Sequence, residues 1–95
     1  MTTVSKVIWN RRLTKKIKKL PDFIQASFYA WVSSVELSGL EKTRQRPGYH
    51  DEPLKGVRQG QRSVRLNRSY RSIYIEHKNG HLEFLEVIEV NKHEY

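Results

Sequence analysis

Three short runs in the second half of the chain constrain its fold more than anything else in it. Gln61–Asn67 (QRSVRLN) alternates, with Val64 and Leu66 facing one way and Ser63 and Arg65 the other. Tyr70–His77 (YRSIYIEH) is rich in Ile and Tyr, and Leu82–Val90 (LEFLEVIEV) is strongly aliphatic. A period of two sends successive side chains to opposite faces of an extended strand. The joints are short. Asn67–Ser69 can turn, and Lys78-Asn79-Gly80 carries the Asn-Gly pair favoured by tight hairpins. These runs predict an antiparallel meander whose apolar face needs a cover.

The first forty residues supply it. Val4–Trp9 (VSKVIW) is a short β-prone run. In Asn10–Leu20 (NRRLTKKIKKL), Leu13, Ile17 and Leu20 recur at spacings of four and three, a helical apolar stripe. Pro21 breaks this helix and suits the first turn of another. The second helix runs to about Ser38 with Ile24, Phe28, Trp31 and Val35 on one face, and Gly39 is a natural stop. The expected architecture is α+β: a helical hairpin packed on one face of a mainly antiparallel sheet of about four strands. Residues 1–95 are expected to form a single domain.

Composition bounds the function. With no cysteine, disulfides and thiolate metal sites are excluded. No apolar run near the start is long enough for a signal peptide, and no segment approaches a membrane span, so a cytoplasmic location and no membrane partner are expected. The formal charge is +8, which favours a polyanionic partner. Lys15, Lys16, Lys18 and Lys19 lie largely off the apolar stripe and read as a solvated helix face. Glu41–Gly56 is a polar loop with two prolines and two glycines, long for so small a domain.

Gly56–His77 carries five arginines: Arg58, Arg62, Arg65, Arg68 and Arg71. A sheet does not need them to fold. On an open face they offer planar, permanently charged forks suited to phosphate. Arg65, opposite Val64 and Leu66, falls on that face. Strict alternation groups Arg71 with Ile73 and Ile75, so a bulge or the start of the strand is expected there. The competing reading is that these arginines only keep strand edges from aggregating. His77 and His81 flank the Asn-Gly turn but lack carboxylate support at ligand spacing, so no metal site is expected, and His50 reads as a loop residue near the site.

The run DEPLKGVRQGQRSVRLNRSYRSIY resembles the centre of the RelE/ParE-superfamily toxins, and within them the RelE/YoeB-type mRNA interferases. The resemblance rests on Glu52-Pro53-Leu54-Lys55, Gly60, Ser63-Val64-Arg65-Leu66, Tyr70-Arg71 and Tyr74 in that order. Leu20-Pro21 after a lysine-rich helix and the closing His93-Glu94-Tyr95 extend it over nearly the whole chain. It implies a RelE-like fold and the toxin of a type II toxin–antitoxin system. The implied activity is a ribosome-dependent endoribonuclease that cuts mRNA in the A site without metal or cofactor.

Such cleavage wants a base for the 2′-hydroxyl, an acid for the leaving 5′-oxygen, and fixed positive charge on the phosphorane oxygens. The resemblance assigns the base to Glu52 and the phosphate-binding and transition-state positions to Arg65 and Arg71. It assigns the acid to His93 or Tyr95. Lys55 is implied as a further phosphate contact. Arg58, Arg62 and Arg68 match less clearly and are expected to contact RNA, the ribosome or an antitoxin. The implied partners are a cognate antitoxin, the 70S ribosome and mRNA. Two alternatives stay open: a gyrase-inhibiting, ParE-like toxin without nuclease activity, and a plain basic nucleic-acid-binding module.

Overall fold

The computed structural model describes residues 4–79 and 82–92. Its spine is the pairing of β4 (Tyr70–Asn79) with β5 (Leu82–Lys92), antiparallel from Tyr70↔Lys92 to Asn79↔Leu82. The Asn-Gly turn expected between them falls partly on Gly80, which lies outside the described residues, as does His81. On one side β3 (Gln61–Arg65) pairs antiparallel with β4, and the two-residue β2 (Glu52–Pro53) pairs with β3. On the other side β1 (Val7–Ile8) runs parallel to β5 through Val7↔Leu85 and Ile8↔Glu86. The strand order is β1-β5-β4-β3-β2. The sheet therefore has five strands rather than about four: the run near the start and the three later runs pair as expected, and the two-residue β2 adds an edge from within the polar loop.

The helices form where the apolar periods predict. Asn10 caps α1 (Arg11–Lys18): its side-chain oxygen accepts from the Leu13 amide at 2.8 Å. Leu13 and Ile17 are buried, and Lys15, Lys16, Lys18 and Lys19 are exposed. α2 (Asp22–Ser38) begins after Pro21 and buries Ile24, Phe28, Trp31 and Val35. It ends at Gly39, whose φ of 87° is open to glycine at low cost. A third, short helix, α3 (Leu40–Arg44), follows where the polar loop was expected to start. It forms because Leu40 and Thr43 are buried, and Thr43 shares a 2.9 Å hydrogen bond with Ser34 of α2. No helix among the described residues is long and apolar enough to cross a membrane.

One core joins the layers. Val64, Leu66, Tyr74, Leu85, Val87 and Val90 of the sheet side meet Leu13, Ile17, Ile24, Phe28, Trp31 and Val35. Aromatic rings bridge them: Trp9 lies 5.1 Å from Phe28, Phe28 6.3 Å from Trp31, and Trp31 5.5 Å from Tyr74. Trp31→Ala should therefore cost about 3–5 kcal/mol, the range for removing a fully buried large side chain. Urea unfolding followed by circular dichroism checks this. A loss below about 1 kcal/mol would mean that α2 does not seal the sheet as described.

Candidate active site

The sheet face turned away from the helices gathers the candidate residues. Directly opposed residues share a face, so the register assembles it row by row. One row reads Glu52, Ser63, Ile73, Glu89, and the next reads Arg65, Arg71, Asn91. Arg71 is the second residue of β4, and alternation holds through it. Arg71, Ile73 and Ile75 all lie on this face; of the two expectations for Arg71, the start of the strand holds and the bulge does not. The bulge sits in β5: Ile73 pairs with Glu89 and Tyr74 with Val87, so Ile88 is the extra residue.

Two isoleucines on an open face need cover, and Arg58 gives it. Its Nη1 donates to Gln61 Oε1 at 2.9 Å and to Glu89 Oε2 at 2.5 Å. These acceptors stand on β3 and β5, so the guanidinium bridges β4 at the level of Ile73 and Ile75. Ile73 is accordingly 1% exposed although it lies outside the main core. Arg58 also holds the Glu89 carboxyl below its ordinary range, and Asn91 Nδ2 adds a 2.6 Å hydrogen bond.

Arg62 faces the other way. Its Nε donates at 2.6 Å to Oδ1 of Asp51, whose side chain is 1% exposed. Oδ2 of the same carboxylate accepts from the Tyr74 hydroxyl at 2.5 Å. Burial, then the Asp51 carboxylate, push the Tyr74 phenol well above its usual range and keep it a donor. Arg44 closes the cluster, with Nε 3.9 Å from Asp51 and a bond to Glu76. This network ties α3 and the loop after it to the sheet. It also fixes the residues on either side of Asp51. Glu52 emerges on the open face, and His50 sits in the left-handed region at φ 47°, an uncommon conformation for a side chain of its size.

The result is an open cavity of about 100 Å³. Glu52, Arg65 and Arg71 line it, as do Arg68 and His50. Ser63, Asn67 and Tyr70 complete the wall. Asn67 holds the β3–β4 turn rigid by accepting from the Ser69 and Tyr70 amides at 2.8 Å each. Among the described residues, Glu52, Arg65, Arg68 and Arg71 have no side-chain partner, and Arg71 Nε is buried without one. Arg65 directly opposite Arg71 is a like-charge cross-strand pair, which weakens a sheet. An anion between the two forks would relieve it.

The five arginines thus divide. Arg58 and Arg62 are bound to internal carboxylates, and Arg65, Arg68 and Arg71 converge on the cavity. Lys55 is exposed beside the single turn Gly56–Arg58 and does not line the cavity. His93 and Tyr95 lie outside the described residues; β5 ends at Lys92 opposite Tyr70. His77 bonds Glu86 at 3.0 Å and stacks on Phe84, and no described group of three His, Cys, Asp or Glu could hold a metal ion. Asn67 and Tyr70 were not assigned to the site from sequence, His50 was read there only as a loop residue near it, and Asp51 carried no signal.

No protein-family model matches the chain, and no curated protein matches it either. Solved structures do. A YoeB/ParE toxin from Agrobacterium tumefaciens is 24% identical, with TM-score 0.58 over 94% of this chain and 99% of that one. YafQ from E. coli strain BL21(DE3) is 13% identical, with TM-score 0.69 over 92% and 91%. A chain of the toxin–antitoxin complex RelBE2 from Mycobacterium tuberculosis is 19% identical, with TM-score 0.61 over 95% and 99%. The chain has the fold of the RelE/ParE toxins. Of the residues that the resemblance in sequence singled out, Glu52, Arg65 and Arg71 line the cavity, Lys55 does not, and His93 and Tyr95 lie outside the described residues.

Two measurements check the electrostatics of this face. Asp51→Ala strands Arg62 and the Tyr74 hydroxyl and should cost about 3–5 kcal/mol in denaturant unfolding, the scale for breaking a buried pair. A near-neutral change would remove Asp51 as the anchor of the loop. Glu89 has a depressed folded value, so its bond to Arg58 stabilises above the unfolded carboxyl range and is lost as pH falls through the folded value. The gap in Tm between wild type and Arg58→Met should therefore be present at neutral pH and shrink as acid protonates Glu89. A gap unchanged down to about pH 2 would contradict the pairing.

Proposed function

We propose that this protein is the toxin of a type II toxin–antitoxin system and an endoribonuclease that cuts mRNA in the ribosomal A site. The observation that carries the reading is the cavity of Glu52, Arg65 and Arg71, with two opposed arginines that no described carboxylate neutralises. The fold shared with structures described as toxins supports it, and one of those is of a toxin–antitoxin complex.

In the proposed chemistry Glu52 takes the proton of a ribose 2′-hydroxyl. The 2′-oxygen then attacks the adjacent phosphorus, and the bond to the 5′-oxygen breaks. The products are a 2′,3′-cyclic phosphate and a 5′-hydroxyl end. Arg65 and Arg71 hold the non-bridging oxygens as charge builds on them. The proton for the leaving oxygen comes from the tail, His93 or Tyr95, one as acid and the other in support. Neither metal nor cofactor enters this scheme. Arg68 at the cavity rim and Lys55 nearby serve as further RNA contacts. Arg58 and Arg62 contribute through the internal bonds that shape the face. An acidic antitoxin segment fits the same unneutralised face as an inhibitor, and the 70S ribosome presents the mRNA.

The test is mRNA cleavage on 70S ribosomes, mapped by primer extension. Arg71→Ala and Glu52→Gln should each slow cutting by at least about 100-fold while leaving the fold intact. Deletion of residues 93–95 should abolish cutting and spare ribosome binding. A folded Arg71→Ala protein that cuts at near wild-type rate would misplace the site. A wild-type protein that stops growth and damages DNA without cutting mRNA would replace this reading with gyrase inhibition.

A further inference from the structure

A second recess lies beside the cavity. β1 covers only Leu85 and Glu86 of β5, and past them α1 packs along the bulged half of that strand. Between the two runs a groove of about 310 Å³, lined by Asn10, Arg12, Leu13, Lys16, Ile88 and Glu89. The extra residue of the bulge, Ile88, forms part of its wall. The groove is joined to the cavity through one contact. Lys16 Nζ donates to Asn91 Oδ1 at 2.5 Å, and Asn91 is the cross-strand partner of Arg71. Positive charge therefore continues from Arg68, Arg65 and Arg71 across Asn91 to Lys16 and Arg12. Among the described residues Glu89 is the one carboxylate lining the groove, and Arg58 pairs with it at 2.5 Å.

We propose that this groove is a second phosphate-binding stretch, so that the protein holds a single RNA strand over several nucleotides rather than at the scissile step alone. The proposal rests on the RNA reading of the cavity. The chemistry is that of a single-strand channel: cations that follow a backbone beside an apolar wall, here the part-exposed Ile88, against which a base or ribose can lie. It gives Arg12 and Lys16 a role that a solvated helix face would not have. Lys18 and Lys19 remain outside the groove and act as solubilising charge.

Fluorescence anisotropy with a 2′-O-methyl oligoribonucleotide of about eight nucleotides, which the enzyme cannot cut, tests the proposal. A 2′-O-methyl dinucleotide, which reaches only the cavity, is titrated in parallel. For the longer probe, Arg12→Ala and Lys16→Ala should each flatten the plot of log affinity against log salt by about 0.7, the single-strand value per lost phosphate contact. Neither should affect the dinucleotide, and Lys18→Ala should leave both probes unchanged. Equal slopes for wild type, Arg12→Ala and Lys16→Ala, with the dinucleotide still bound, would overturn the groove alone. The groove also fails as an RNA site if polyglutamate, but not the long probe, loses affinity in these variants, since that assigns it to an acidic protein segment. Wild-type protein that binds neither RNA probe would overturn the RNA reading of the cavity as well.

Discussion

Asp51 is almost wholly withdrawn from water, yet it stands beside Arg62, Arg44 and the Tyr74 hydroxyl. A carboxylate there would be prohibitively costly without those partners. Each partner comes from a different part of the chain: α3, the strand β3, and the centre of β4. Satisfying the buried charge therefore fixes all three against one another. It also fixes the loop that carries Asp51, and with it the direction in which Glu52 and His50 leave that loop. The open-face cavity exists because its far wall is pinned from the core side.

The arginines show how one residue type is divided by partners. Arg58 and Arg62 each meet a carboxylate at bonding distance and become parts of the scaffold. Arg65 and Arg71 meet each other. A like-charge pair directly opposite in a sheet opposes folding, and it persists only where the rest of the structure outweighs it. Here the aromatic and aliphatic core beneath, from Val64 and Tyr74 to Trp31 and Phe28, supplies the surplus. The pair thus leaves unneutralised charge on this face, which an anion between the two forks would relieve.

The bulge at Ile88 couples the core to both recesses. Before it, odd-numbered residues of β5 face the helices, as Leu85 and Val87 do. After it the parity changes and Val90 takes the inward place. That shift brings Glu89 and Asn91 onto the open face, where Glu89 receives Arg58 and Asn91 meets Arg71 and Lys16. Without the extra residue, strict alternation would turn Glu89 toward the core.

Local pattern alone determined much of this. The 3.6-residue stripe of Ile24, Phe28, Trp31 and Val35 was legible as a buried helix face, and the period of two in Gln61–Asn67 as a strand with Arg65 outward, because each pattern repeats within a few residues. The order of Glu52, Arg65 and Arg71 was legible as a candidate site through its resemblance to a toxin family. Only the tertiary structure decided which arginines are free, since Asp51 and Glu89 reach Arg62 and Arg58 across 11 and 31 residues of chain. It also decided where the irregular strand residue falls. Sequence left Arg71 either a bulge or the start of its strand, because two isoleucines beside an arginine on one face look misaligned until Arg58 is seen to cover them; the structure puts Arg71 at the strand's start and the extra residue at Ile88. Periodicity reports which side of its own strand a residue occupies. It does not report what another segment lays over that side, and that is a property of packing.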